Sequence, residues 1–238
     1  MKSGQWICPW KCSSENPRDV KTVVREHAPF DIGRMTVPEA LKAVLRHPTV
    51  ASKTFLISIG DRSVGGLVSR DQFVGPWQVP VADCAVTTVN FTGYKGEVMA
   101  VGERTPVAVL DSAAASRMAV AEAMTNITAA DIDPALVKLS ANWMAACGAE
   151  GEDAKLFAAV KAASEYCQAL NVSIPVGKDS CSMRTAWDDK DEKKCVTSPV
   201  SLIVSAAAPV GNVRLTLTPL LRTDKPSVLA LFDLSGGR

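Results

Sequence analysis

The stretch GEVMAVGERTPVAVLDSAAASRMAVAEAMTNITAA (96–130) decides how this chain folds. Its opening, GEVMAVG (96–102), reads as a strand. Its second half, Asp111–Ala130, carries eight alanines and few β-branched residues, which makes it a helix by propensity, with Asp111 or Ser112 as N-cap. Upstream, TFLISIG (54–60), SVGGLV (63–68) and ADCAVTTVNF (82–91) also read as strands, set apart by Gly, Pro and Asp clusters. That grouping predicts a small, strongly curved sheet. Thr36-Val-Pro-Glu39 has the spacing of a capping box. It opens a helix with Val37, Leu41, Val44 and Leu45 on one face, ending at His47 before Pro48.

Downstream, VKLSANWM (137–144) reads as a strand entering a loop at Gly148. Residues 151–170 form a second amphipathic helix with Leu156, Val160, Ala163 and Cys167 inward. SIPVG (173–177) is a short strand stopping at Lys178-Asp179, and SMRTAW with CVTSPVSLIVSAAA forms a hairpin around the charged tip DDKDEKK. PSVLALFDL (226–234) starts a strand that opens toward Gly236-Gly237 and stops, so the C-terminus reads as truncated. The fold class is α/β (α+β): a curved mixed or antiparallel sheet packed with helices. The expected division is an irregular segment over 1–35, one domain over 36–213 and the start of another over 214–238.

Lys and Arg number 26 against 25 Asp and Glu, a formal charge of +1 that gives no electrostatic reason to expect a nucleic acid or anionic membrane partner. The least charged run, Val196–Val213, is broken by Pro199, Pro209 and Gly211, which suits a buried strand and turn rather than a membrane span. The N-terminus lacks an apolar core of signal-peptide length, so a cytoplasmic location is expected. Seven scattered cysteines imply no disulfide framework. Cys8 and Cys12 have a spacing zinc could use, but no second pair follows at a matching distance.

Glu122 and Asn126, at i and i+4 on the alanine-rich helix, point the same way from consecutive turns. Both offer oxygen, which suits a hard cation; a solvent-exposed polar stripe has the same spacing. Asp83 lies between apolar neighbours in QVPVADCAV. It is either a carboxylate needing a partner or a turn residue at a strand start. Lys178-Asp179-Ser180, after Gly177, brings a cation, an anion and a hydroxyl together in a way that could hold a phosphate, but it is not a Walker motif. No G-x-S-x-G, no G-x-G-x-x-G after a strand and no evident Cys–His pair is present, so no activated nucleophile is visible. No catalytic residue is assigned.

Four ordered blocks, GDRSVGGLVSRDQFVGPWQVPVADCAV (60–86), AVAEAMTNI (119–127), KLSANWMAACGAEGEDAKLF (138–157) and IPVGKDSCSM (174–183), resemble the large single-chain form of phosphoribosylformylglycinamidine synthase. The resemblance begins near Val37. It is to the first half of the second of two cores that are themselves similar to aminoimidazole ribonucleotide synthetase, which makes the chain an internal fragment. It implies an N-terminal-domain fold whose sheet pairs with the first core's, with nucleotide sites along that interface.

By this resemblance Asp83, Glu122 and Asn126 would be Mg2+ ligands at a bound ATP or ADP, and Ala82 would lie beside the nucleotide. Lys53 and Lys178–Ser180 would be phosphate neighbours. The implied activity is ATP-dependent conversion of formylglycinamide ribonucleotide to the amidine, with glutamine or ammonia as nitrogen source. The rest of the synthase chain, including its glutaminase domain, is the implied partner. A selenophosphate synthetase or thiamine-phosphate kinase would need a reactive N-terminal segment that residues 1–35 do not supply.

Overall fold

Val204 and Ala206, both fully buried, mark the middle of a five-stranded sheet around which the rest of the chain is arranged. The structure is a computed structural model that describes residue 33 and residues 35–60, 62–190 and 192–233. Cys8, Cys12, His27 and nearly all of the irregular N-terminal segment lie outside the described residues.

The strands are β1 (Cys84–Thr88), β2 (Gly96–Glu103), β3 (Lys138–Met144), β4 (Ser173–Ser180) and, last in sequence, β7 (Ser201–Val210). Their order is β1-β2-β7-β3-β4. Only β3 and β4 run parallel; the other pairs are antiparallel. A parallel pair needs a crossover, and the helix α5 (Glu152–Leu170) supplies it. The fold is therefore the mixed α/β arrangement expected.

One face of the sheet is closed. Val98, Ala100, Leu139, Ala141, Val204 and Ala206 alternate inward and meet Ala119, Val120, Ala123 and Ile127 of the long helix α4 (Ser112–Ile127), which follows the single turn α3 (Thr105–Ala108). Small residues let this helix lie close to the strands. The other face is open, with Met99, Val101 and Val176 at least half exposed.

Asp111 caps α4 by accepting the Ala114 N–H through Oδ1 at 2.8 Å, as its sequence position predicts. Glu39 likewise accepts both the N–H and the hydroxyl of Thr36, at 2.9 and 2.7 Å, at the start of α1 (Val37–Arg46). His47 is its C-cap.

Several expectations need correction. The helix α1 is present as expected, but nothing among the described residues covers the face it was expected to share: Val37, Leu41, Val44 and Leu45 are all more than half exposed. TFLISIG is no strand; Thr54–Ser58 is the short helix α2, opened where Thr54 N–H donates to Ser52 Oγ. Residues 63–68 are mostly turn, because Gly65 and Gly66 both have positive φ. Val68 alone bridges to Thr87 at the sheet edge.

In α5 the buried apolar residues are Ala159, Ala162, Ala163 and Cys167, while Val160 faces out. The charged-tip hairpin exists as β5 (Arg184–Asp189) with β6 (Glu192–Thr197), but it ends at Thr197. The apolar run after Pro199 leaves it to become β7 at the sheet centre. β4 runs through Lys178 and Asp179 to Ser180 rather than stopping before them. The described part of 226–234 forms no strand. No helix among the described residues is long and apolar enough to cross a membrane.

Candidate functional site

The start of β1 and the C-terminal end of α4 form two walls of a cleft of about 220 Å³, and residues 217–219 form the third. Three backbone contacts hold the walls. Ala82 N–H donates to Gln72 O at 2.8 Å, and Phe73 bridges Val81 just before it. Leu217 N–H donates to Ala129 O at 2.7 Å, which ties the chain after β7 to the end of α4. Asp83 sits exposed at the bend that opens β1. Ala82, Asp83 and Asn126 all line this cleft, with Thr125 and Thr218 beside them. Two of the three candidate cation ligands, from separate segments, thus share one cavity.

Glu122 stands one turn before Asn126 and does not line the cleft. Its position follows from Gly102: a Cβ there would lie 2.1 Å from Ala119 O and 2.5 Å from Ala123 N, so α4 crosses β2 at backbone distance. β1 begins only at Cys84, opposite Ala100. Beyond that point α4 side chains satisfy the β2 backbone. Glu122 Oε2 accepts the Glu103 N–H at 2.8 Å, and Asn126 Nδ2 donates to Val101 O at 3.0 Å. Neither residue is a simple solvated stripe. Arg104 then places Nη1 2.9 Å from Glu122 Oε1.

This arrangement suits a hard cation at two of the three positions. Asn126 spends its nitrogen on Val101, which leaves Oδ1 as the oxygen to offer. Asp83 brings a carboxylate from the opposite wall. Its charge is felt locally: burial first, then Asp83, pushes the neighbouring Cys84 thiol up. Glu122 has both oxygens engaged and reaches a cation only by releasing Arg104. Among the described residues no group of three or more His, Cys, Asp and Glu side chains is gathered as a metal cage. The oxygen donors present fit Mg2+ chemistry, in which phosphates and water complete the shell.

The other candidates lie elsewhere. Lys53 Nζ donates to Pro48 O and Ala51 O, both at 2.5 Å, and so caps its own segment. Lys178–Ser180 end the opposite edge strand. Four strand spacings of about 4.8 Å put β4 about 19 Å from β1, too far to share a phosphate with Asp83. There Lys178 Nζ reaches Ser180 Oγ at 2.6 Å, on the open face. Sequence reading missed Arg104 and the wall at residues 217–219. Arg104 could have been suspected from its place directly after a strand; nothing in residues 217–219 marks them.

The FGAR-AT PurM_N-like domain family model matches residues 52–209. Among solved structures, Thermotoga maritima PurL complexed with ADP has a TM-score of 0.50 at 16% identity, covering 82% of this chain and 28% of that one. PurLQS from the same organism has a TM-score of 0.49 at 17% identity, over the same shares of the two chains. The chain spans little more than a quarter of either, and at such identity the likeness concerns the fold. With its sheet and helices matched over more than half its length, the chain belongs to the FGAR-AT PurM_N-like domain family.

Proposed function

We propose that this chain is part of an ATP-dependent C–N ligase of purine synthesis, in which its cleft holds a Mg2+-bound ATP or ADP. The observation that carries the reading is that Asp83 and Asn126, from separate elements, line one cavity beside Ala82. Asp83 and the Asn126 Oδ1 would hold the cation, with Glu122 joining if Arg104 turns from it toward a phosphate. Ala82, small and pinned by Gln72, leaves room for the nucleotide. Bound Mg2+ supplies neutralisation of phosphate oxygens.

In the reaction of such a ligase, ATP phosphorylates the glycinamide carbonyl oxygen of formylglycinamide ribonucleotide. Ammonia, delivered from glutamine or free, then displaces that phosphate. This chain contributes scaffold and ligands. Its place is the first half of a second core, with residues 36–213 as the N-terminal domain and 214–238 as the start of the next. The remainder of the synthase chain, reached through the open sheet face, is its partner, and the cytoplasm its location. The match covers only 28% of the solved PurL chain, which supports a fragment that lacks turnover alone.

A second reading is a structural nucleotide that is never consumed. The Glu122–Arg104 pair favours it, because a site already neutralised by protein charge needs little exchange. Asp83→Asn in a full-length synthase separates the two. Lost turnover with unchanged thermal stability marks a catalytic nucleotide; lower stability with intact turnover marks a structural one. Unchanged turnover, stability and nucleotide affinity would overturn the site altogether. Turnover of ammonia and ATP by the purified 238-residue chain would overturn the assignment as an inactive fragment.

A further inference from the structure

Beyond its last sheet residue, β3 continues into Ala145–Cys147, and this extension pairs antiparallel with residues 181–183. Ala146 lies opposite Ser182. Cys147 N–H donates to Cys181 O at 2.9 Å and Met183 N–H to Ala145 O at 3.1 Å. In that register Cys147 is directly across from Cys181. Such a position places two Cα atoms about 5.5 Å apart. A disulfide spans roughly 4.4–6.8 Å between Cα atoms, so the spacing of such a pair lies within its reach.

The side chains already meet: the Cys147 thiol is a hydrogen-bonding neighbour of the Cys181 thiol. Both residues are half-buried and in thiol form. A carboxylate completes the group, with Cys181 Sγ donating to Asp179 Oδ2 at 3.2 Å. None of these atoms belongs to the nucleotide cleft.

We propose that Cys147 and Cys181 form a reversible intramolecular disulfide, a redox modification site that ties the loop before α5 to the end of β4. With hydrogen peroxide as oxidant, the Cys147 sulfur attacks one peroxide oxygen, giving a sulfenic acid and one water. The Cys181 sulfur then attacks the Cys147 sulfur; its proton passes to Asp179 Oδ2 and on to the departing sulfenic hydroxyl, which leaves as the second water and restores the carboxylate. Two thiols and one peroxide thus become one disulfide and two waters. A thiol reductant reverses the step, because a half-exposed bond can be attacked. The order follows from the site. Burial, the Asp179 carboxylate and the Cys147 thiol push the Cys181 thiol up to about 12, so Cys181 keeps its proton until Asp179 takes it.

The test is peptide mapping of the whole chain after a modest excess of hydrogen peroxide and alkylation of remaining thiols. Trypsin isolates Cys147 in residues 139–155 and Cys181 in residues 179–184, each peptide with a single cysteine. The expected product is these two peptides joined, formed in most molecules and released by dithiothreitol. In Cys181→Ser the same treatment leaves Cys147 as a dimedone-reactive sulfenic acid. Linkage of either cysteine to any other thiol, or oxidation of both to sulfonic acid in the native sequence without a joined product, would overturn the proposal.

Discussion

Arg104 Nη1 lies 2.9 Å from Glu122 Oε1, while the other oxygen of that carboxylate accepts the Glu103 N–H at 2.8 Å. The guanidinium therefore stands beside the carboxylate where a cation ligand would need to be available. Its charge and that of a divalent cation compete for one side chain, and the outcome depends on what a phosphate offers Arg104 in return.

If they compete, Arg104→Ala makes Glu122 available. Partly exposed ion pairs are worth about 0.2–1 kcal/mol. Calorimetric titration with Mg2+ alone should show up to about fivefold tighter binding in the variant, by the conversion of about 1.4 kcal/mol per tenfold. Weaker Mg2+ binding would show that Arg104 supports the site rather than competing for it.

Gly102 tests how Glu122 is aimed. Alanine there meets backbone atoms of α4 at 2.1 and 2.5 Å, which no side-chain rotation relieves. Overpacking of this kind costs about 1–3 kcal/mol. Urea unfolding of Gly102→Ala should show that loss. Mg2+-nucleotide binding should also weaken, because the displaced helix carries both Glu122 and Asn126.

The strand at 96–103 and the alanine-rich helix were legible because their periods and N-cap act locally. TFLISIG misled because alternation chooses a face only when a partner strand exists; without one, the hydroxyls of Ser52 and Thr54 turn the chain into α2. The place of β7 between β2 and β3 was hidden, since non-local pairing leaves no mark in a single segment.

The site divides the same way. Spacing put Glu122 and Asn126 on one helix face, but could not say that they cap the end of β2. Nor could it place Asp83 across a cleft from Asn126. The Lys178–Ser180 tripeptide looked like a phosphate turn because Gly177 precedes it. That glycine is instead needed where β4 meets β3: a Cβ would lie 2.8 Å from Ala141 O.

The two faces of the sheet predict opposite responses to truncation. Leu139 is 1% exposed against α4 and α5, and Leu139→Ala should cost about 2–5 kcal/mol. Met99 is 57% exposed on the open face, and Met99→Ala should stay within about 0.5 kcal/mol. Chemical denaturation of both variants checks the assignment. A large loss from Met99→Ala in the purified chain would mean that the open face is covered by something in solution.

Cys181 sets an alkaline limit. In the fold its thiol holds the proton up to about 12, against an ordinary value of 9.0. The unfolded chain therefore releases that proton first as pH rises, and ionisation favours unfolding. The stabilisation linked to the protonated thiol is complete below 9.0 and is lost between 9.0 and about 12. Serine at this position carries no such titration. Melting temperatures of the native sequence and Cys181→Ser, measured across that window, should converge or cross as pH rises, because only the cysteine form adds this loss to the other alkaline titrations. Parallel curves would mean that the thiol ionises as readily folded as unfolded. Burial and the Asp179 carboxylate would then not hold its proton.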